Sequence, residues 1–225
     1  MKIVHPIFDE SIIVDECGIN CLLVENGNDF YELVSDILNQ IGNNDDGFFY
    51  VINNNDETMN LHKDAFIITD PFLFSLQTKD IKNAIIKDIT KIAQHDQSDE
   101  FTLLKQEITN YIQKLVLQYD IPLVYDNEIE ISQILKIINI GPNDGEENKI
   151  KRIINWFVII SDILHPKIIF TINLFSILSI RECEALISEI KKTGILVVNL
   201  QSKISYDSQN VKTLIDEDSI QLFVQ

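Results

Sequence analysis

The sequence predicts an α/β protein: a mostly parallel sheet forms a head domain, and an α-helical leg is inserted into it. Three observations carry this. Residues 166–200 read as strand, helix, strand: Lys167–Ile172 is apolar and β-branched, and Ser179–Lys192 repeats Ile180, Cys183, Leu186, Ile187 and Ile190 at helical spacing. Gly194 then supplies a stop and Ile195–Leu200 is a second apolar run, the pattern of a crossover in a parallel sheet. An earlier unit of the same kind joins Cys21–Glu25 to a helix from about Phe30 to Ile41. Between these two units the period changes to threes and fours over long helices, without strand signals.

In chain order, Lys2–His5, Ser11–Val14 and Cys21–Glu25 are short strands, followed by the first helix and by the strand Phe48–Ile52. Asn43–Gly47 and Asn53–Asp56 are polar turns, and Phe66–Thr69 is a strand that stops at Asp70-Pro71. Lys79–Gln94 then places Ile81, Ile85, Ile89 and Ile92 on one face, and Phe101–Tyr119 does the same with Leu104, Ile108, Tyr111 and Leu115. Both approach a coiled-coil seam, and a hairpin of two such helices cannot bury both its sides on itself. It needs another helix or another chain. Ile129–Ile140 is a third helix, stopped by Gly141-Pro142. Glu147–Leu164, carrying Ile150, Ile153, Ile154, Phe157 and Ile160, is a fourth, stopped at His165-Pro166. Residues 201–218 are polar, and Ile220–Val224 is a final strand. Strands at both ends with helices between them place the head at residues 1–70 and 150–225 and the leg at 71–149.

The first strand-to-helix turn is where nucleotide-binding α/β proteins cradle phosphate. Here it reads Asn26-Gly27-Asn28-Asp29, with no second glycine, no lysine and an added carboxylate that repels a phosphate. The head therefore resembles a degenerate nucleotide-binding fold, a frame without its chemistry.

The 225 residues are 45% hydrophobic, which suffices for a sizeable core, and no apolar run approaches the ~20 residues of a membrane span. The opening MKIVHPIFDE carries charge too early for a secretory signal, so a soluble, cytoplasmic protein is expected. Cys17, Cys21 and Cys183 lack a zinc-ligand pattern and read as packing residues. A net charge of −17 argues against nucleic acid until its distribution is considered. From Lys63 to Lys167 there are 12 basic and 16 acidic residues, against 6 and 19 in the rest of the chain. The middle is thus much less acidic than the two ends.

No Gly-x-Ser-x-Gly elbow is present, His5, His62, His95 and His165 sit in unrelated contexts, and no catalytic carboxylate pair can be placed. Between two helices, Tyr119–Glu130 gathers oxygen donors, including Asp120, Asp126, Glu128 and Glu130, a composition that suits a hard cation such as Ca²⁺. The same residues also suit an ordinary acidic loop running into a helix N-terminus. Lys79, Lys82, Lys87 and Lys91 form a lysine stripe on one helix, Lys136 lies on a later one, and Lys149, Lys151 and Arg152 open the fourth. A stripe is ordinarily a solvated face. Cations at a helix N-terminus oppose its dipole, so something else calls for them there. With few aromatics among these lysines, any nucleic acid would be held through its phosphates, without sequence reading.

Taken together, these residues resemble one family. Pro166–Leu200 followed by Leu214-Ile215-Asp216-Glu217-Asp218 is similar to the C-terminal part of the spacer-acquisition protein of subtype II-A CRISPR systems, the Csn-two family. Ile67-Ile68-Thr69-Asp70, and Val124-Tyr125-Asp126 leading into Ile129–Lys136, are similar too, in the same order. The resemblance implies a ring-shaped homotetramer that binds double-stranded DNA ends without sequence preference and without enzymatic activity. It implies bound Ca²⁺, with Asp126 and Glu128 as ligands, Asp120 standing in where Pro122 departs from the family pattern, and Lys136 facing DNA. It also implies work beside the CRISPR integrase proteins and the guide-RNA nuclease. Lys82, Lys149, Lys151 and Arg152 are candidate DNA contacts from the charge pattern alone. The competing readings are a protein-binding scaffold built on the acidic ends and the helical arm, and a nucleotide-dependent switch on the α/β frame.

Overall fold

The computed structural model describes residues 1–43, 47–95, 98–125, 128–146, 148–203 and 211–223. The chain divides into two compact units, one of Met1–Ser75 with Gly145–Gln225 and one of Leu76–Asp144.

The first unit is α/β. Its strands are β1 (Lys2–Val4), β2 (Ile12–Ile13), β3 (Gly18–Val24), β4 (Tyr50–Ile52), β5 (Ala65–Ile68), β6 (Ile168–Ile172), β7 (Leu196–Gln201), β8 (Val211–Ile215) and β9 (Gln221–Phe223). Six of them form one sheet in the order β5-β6-β7-β3-β8-β9, parallel throughout except for the antiparallel edge strand β9. A smaller antiparallel sheet has the order β2-β1-β4. The central strands are buried on both faces, and for that reason β6 and β7 are mostly apolar, the exceptions being the buried, mutually hydrogen-bonded Thr171, Asn199 and Gln201.

Helix α1 (Gly27–Ile41) buries Leu33 and Ile37 in a core shared with Ile3, Phe49, Phe170 and Val198, so the small sheet and α1 fill the same core. α2 (Leu61–Asp64) is one short turn that leads into β5. Helices α6 (Lys149–Leu164) and α7 (Ile180–Thr193) pack on each other, and α7 packs on β3. α6 buries Ile153, Trp156, Phe157 and Ile160, and α7 buries Cys183, Leu186 and Ile190. Each such side chain stabilises the fold by about 1.5–3 kcal/mol. Asn148 caps α6, and α7 opens on a Ser179–Glu182 capping box and ends at Gly194, whose φ of +74° suits glycine. Ile180, expected on the apolar face of α7, is exposed because it occupies the first helical position.

The second unit is helical: α3 (Lys79–His95), α4 (Ser98–Val116) and α5 (Ile131–Ile137), with α3 packing against both others. Its two ends are tied together. The amide of Leu76 donates to Asp144 at 3.0 Å, and the Gln77 side chain donates to the Pro142 carbonyl.

The structure differs from the sequence reading at several element ends. α5 is shorter than Ile129–Ile140, because Glu130 is spent as its N-cap and Asn139 turns left-handed with φ +52°. α4 stops at Val116 instead of Tyr119. β8 lies inside the stretch read as polar; on it Thr213 and Ile215 are deeply buried beside β3. Cys17 is exposed and does no packing, whereas Cys21 and Cys183 are buried. Burial pushes the Cys21 thiol up to about 12 and the Cys183 thiol up to about 11, so both stay protonated and inert.

Candidate nucleic-acid interface

In a parallel α/β sheet the carboxyl ends of the strands are the usual place for a ligand. In this chain they are filled by the protein's own polar side chains. After β3, Asn26 accepts from the amides of Asn28 (2.9 Å) and Asp29 (3.3 Å), the donors a phosphate would otherwise use. Its amide nitrogen donates to the Glu217 carbonyl and to Ser219, which pins the turn to the loop after β8. The Asp29 Oδ2 atom is buried there without a hydrogen-bond partner, adding negative charge where an anion would sit. On β7, buried Asn199 accepts from Thr171 Oγ1 (3.0 Å) and the Leu174 amide (3.1 Å) and donates to Gln201 Oε1. Gln201 in turn donates to Ser176 at 2.7 Å.

The cations of the helical unit are arranged differently. α3 is anchored by Ile81 and Ile86, α5 by Leu135, and packing these helices together leaves a groove of about 560 Å³. It is lined by Asn83, Ile86, Lys87, Thr90, Lys91, Gln94, Ser132 and Lys136. Lys87, Lys91 and Lys136 are exposed, and among the described residues no aromatic or acidic side chain lines the groove. Lys91 also reaches Asp88 one turn back at 3.0 Å. A wall of ammonium groups, amides and hydroxyls without aromatic rings suits phosphate oxygens and offers bases nothing to stack on.

Of the expected DNA contacts, Lys136 therefore lies in this groove. Lys82 lies nearby in the same unit, its ammonium donating to Asn139 Oδ1 at 3.0 Å. Lys87 and Lys91 were legible only as part of a lysine stripe. Their distinguishing feature, a shared groove with Lys136, depends on the packing of α5 on α3.

Lys149, Lys151 and Arg152 belong to the other unit, and two of them have structural partners. Lys149 donates to Glu182 (2.9 Å) and to the Ile177 carbonyl (3.0 Å), joining α6 to the start of α7. The backbone amide of Ser179, then the Lys149 ammonium and the Ser179 hydroxyl, hold the Glu182 carboxyl down at about 2. The Arg152 guanidinium lies 5.5 Å from the centre of the buried Trp156 ring. These contacts are what calls for cations at the N-terminus of α6. Lys151 is exposed.

Of the expected metal ligands, Asp126 lies outside the described residues. Asp120, Glu128 and Glu130 are exposed. Glu130 forms the capping box of α5 with Gln133 and accepts from the Ser132 hydroxyl at 3.1 Å. Among the described residues no three His, Cys, Asp or Glu side chains come together as a metal site. No described helix is long and apolar enough to cross a membrane.

The Cas_Csn2 family model, for a CRISPR-associated protein, matches residues 40–219, which take in most of the head and the whole helical unit. The chain belongs to the Cas_Csn2 family of CRISPR-associated proteins. No curated protein sequence matches the chain. Membership in Cas_Csn2 fixes a role in CRISPR defence and agrees with the α/β architecture.

Proposed function

We propose that this Cas_Csn2 chain binds double-stranded DNA ends without reading sequence, as a ring-shaped homotetramer, and supports the acquisition of new CRISPR spacers without enzymatic activity. The observation that carries the proposal is the groove of Lys87, Lys91 and Lys136 in a chain of net charge −17. A strongly anionic protein can hold DNA only where its cations are gathered, and this is a surface on which they are. A ring repeats each modest basic patch fourfold around the duplex, so weak local attractions combine into useful affinity. The filled strand ends around Asn26, Asp29 and Asn199 support the non-enzymatic reading, because they occupy the position where this kind of sheet would hold a nucleotide.

Lys82, Lys136 and Lys151 are the proposed contacts among the residues first singled out, and Lys87 and Lys91 join them. Lys149 and Arg152 contribute less, since Glu182 and Trp156 already engage them. The Ca²⁺ proposal rests on the oxygen-rich, irregular segment between α4 and α5, with Asp120, Asp126 and Glu128 as ligands and Glu130 shared with its capping role. Bound there, Ca²⁺ would cancel carboxylate charge within the helical unit. The CRISPR integrase proteins and the guide-RNA nuclease are the proposed working partners.

A gel shift comparing linear with closed-circular duplex tests the proposal. Linear DNA should be retained and circles of the same sequence should not. Equal retention of both would rule out threading onto ends.

A further inference from the structure

Asn83, Lys87, Lys91 and Gln94 line the groove of the helical unit from α3, and all four are exposed. They follow one another at intervals of four, four and three residues, so they form one row about 16 Å long on a single face of the helix. The row reads amide, ammonium, ammonium, amide.

The donors of this groove are not equally available. Thr90 spends its hydroxyl hydrogen on the Ile86 carbonyl at 2.7 Å, and Ser132 spends its own on Glu130 at 3.1 Å. Lys91 shares its ammonium with Asp88. Asn83 and Gln94 make no side-chain hydrogen bond among the described residues. Each carboxamide carries two N–H donors. Two uncharged donors therefore stand at the two ends of the lysine row.

An amide and an ammonium act differently on DNA affinity. Both donate to phosphate oxygens, but only a cation releases the counterions that make binding fall as salt rises. Asn and Gln are also the side chains that pair bidentately with adenine. Here the two lysines between them, on the same face, direct them to the backbone instead.

We infer that Asn83 and Gln94 are phosphate-contacting residues that bracket Lys87 and Lys91 and supply a share of the affinity that salt does not remove. The inference rests on the proposal that this groove holds DNA, and it names two contacts that charge alone does not reveal.

The test is fluorescence anisotropy on the full chain with short linear duplexes, one A·T-rich and one G·C-rich, over a range of salt. Alanine at exposed positions within a helix favours the helix, so the fold is kept. N83A combined with Q94A should weaken binding about tenfold at every salt concentration and for both sequences. The line of log K against log salt should move down without tilting, whereas K136Q should tilt it. The near-isosteric N83D combined with Q94E removes the donors and adds two carboxylates, and should weaken binding further. If the alanine pair keeps the parent line while K136Q tilts it, the groove stands as the DNA site and these two contacts fall. A loss confined to the A·T-rich duplex would make Asn83 and Gln94 base readers and overturn the phosphate assignment. If K136Q leaves the line untilted, the groove and this inference fall together.

Discussion

Replacing Lys136 by Gln should reduce the salt dependence of DNA binding without changing the fold. Lys136 is exposed on α5, so the loss of its charge should move stability by no more than about 0.5 kcal/mol. Each phosphate contact contributes a slope of roughly −0.9 to log K against log salt. Lys91 is already engaged by Asp88, so Lys87 and Lys136 are the two strong contacts of the groove. In the proposed homotetramer, these two groove contacts in each of four copies contribute about −7 to the slope, a loss of about 10⁴ in affinity between 50 and 200 mM salt. In K136Q this groove contribution should fall to about −3.6, so that its share of the loss over the same change of salt is only about 10². The assay is fluorescence anisotropy with a short linear duplex at four or five salt concentrations, run with two unrelated sequences. The change should be the same for both, because phosphate contacts carry no sequence information. A slope that stays at the parent value in K136Q, with the assembled mass unchanged, would refute the assignment of this groove to DNA. K91Q should have the smaller effect, and a larger one would reverse the ranking drawn from its pairing with Asp88.

Three further outcomes are expected. Asp126→Ala should remove any rise in melting temperature produced by Ca²⁺ in the parent; an identical Ca²⁺ response in both proteins would eliminate the ligand proposal. Because Glu182 is held down at about 2 in the folded chain, below its ordinary value of 4.5, its contribution to stability is complete above about pH 4.5 and is lost as the pH falls toward 2. Glu182→Gln should therefore flatten the pH dependence of the urea midpoint over that window, and a parallel downward shift at every pH would show that the charge is immaterial. Asn26→Ala should lower stability by about 1 kcal/mol through loss of the α1 cap, and isothermal calorimetry on the variant should still detect no ATP or GTP binding, since Asp29 remains at the turn.

The architecture was largely legible because its signals are local. β6 and β7 are buried on both faces and therefore mostly apolar, Gly194 stops α7, and the isoleucines of α3 fall at helical intervals. β8 was illegible for the complementary reason. One of its deeply buried residues is the polar Thr213, and it follows a long polar approach. The polar network of Asn199, Thr171, Gln201 and Ser176 left no trace in sequence patterns either, because its members come from three different segments of the chain. The same holds in part for the cations. Charge flagged Lys149 and Arg152. The Lys149 partner Glu182 lies 33 residues away and is fixed only by the packing of α7 on α6, whereas Trp156 lies four residues beyond Arg152 on the same helix, a spacing that pairs them within the sequence itself.

The contrast between the two units follows from where each spends its polar groups. In the head, the helix amides and the strand ends that would receive an anion are satisfied internally by Asn26 and Asn199, and Asp29 adds charge of the wrong sign. At Asn199, opening such a site would mean stripping buried hydrogen bonds, at about 1–3 kcal/mol for each group left unpaired, while the Asn26 bonds lie at the surface and are held by the turn itself. In the helical unit the balance is reversed. Lys87 and Lys136 lie exposed on a groove whose floor is a single isoleucine, and an incoming phosphate would displace only water and counterions. Any anion meeting this chain is therefore expected to settle on α3 and α5 and not at the ends of the sheet. Phosphate titration followed by amide chemical shifts separates the two: movement at Asn28 and Asp29 without movement at Lys87 or Lys136 would contradict that ordering.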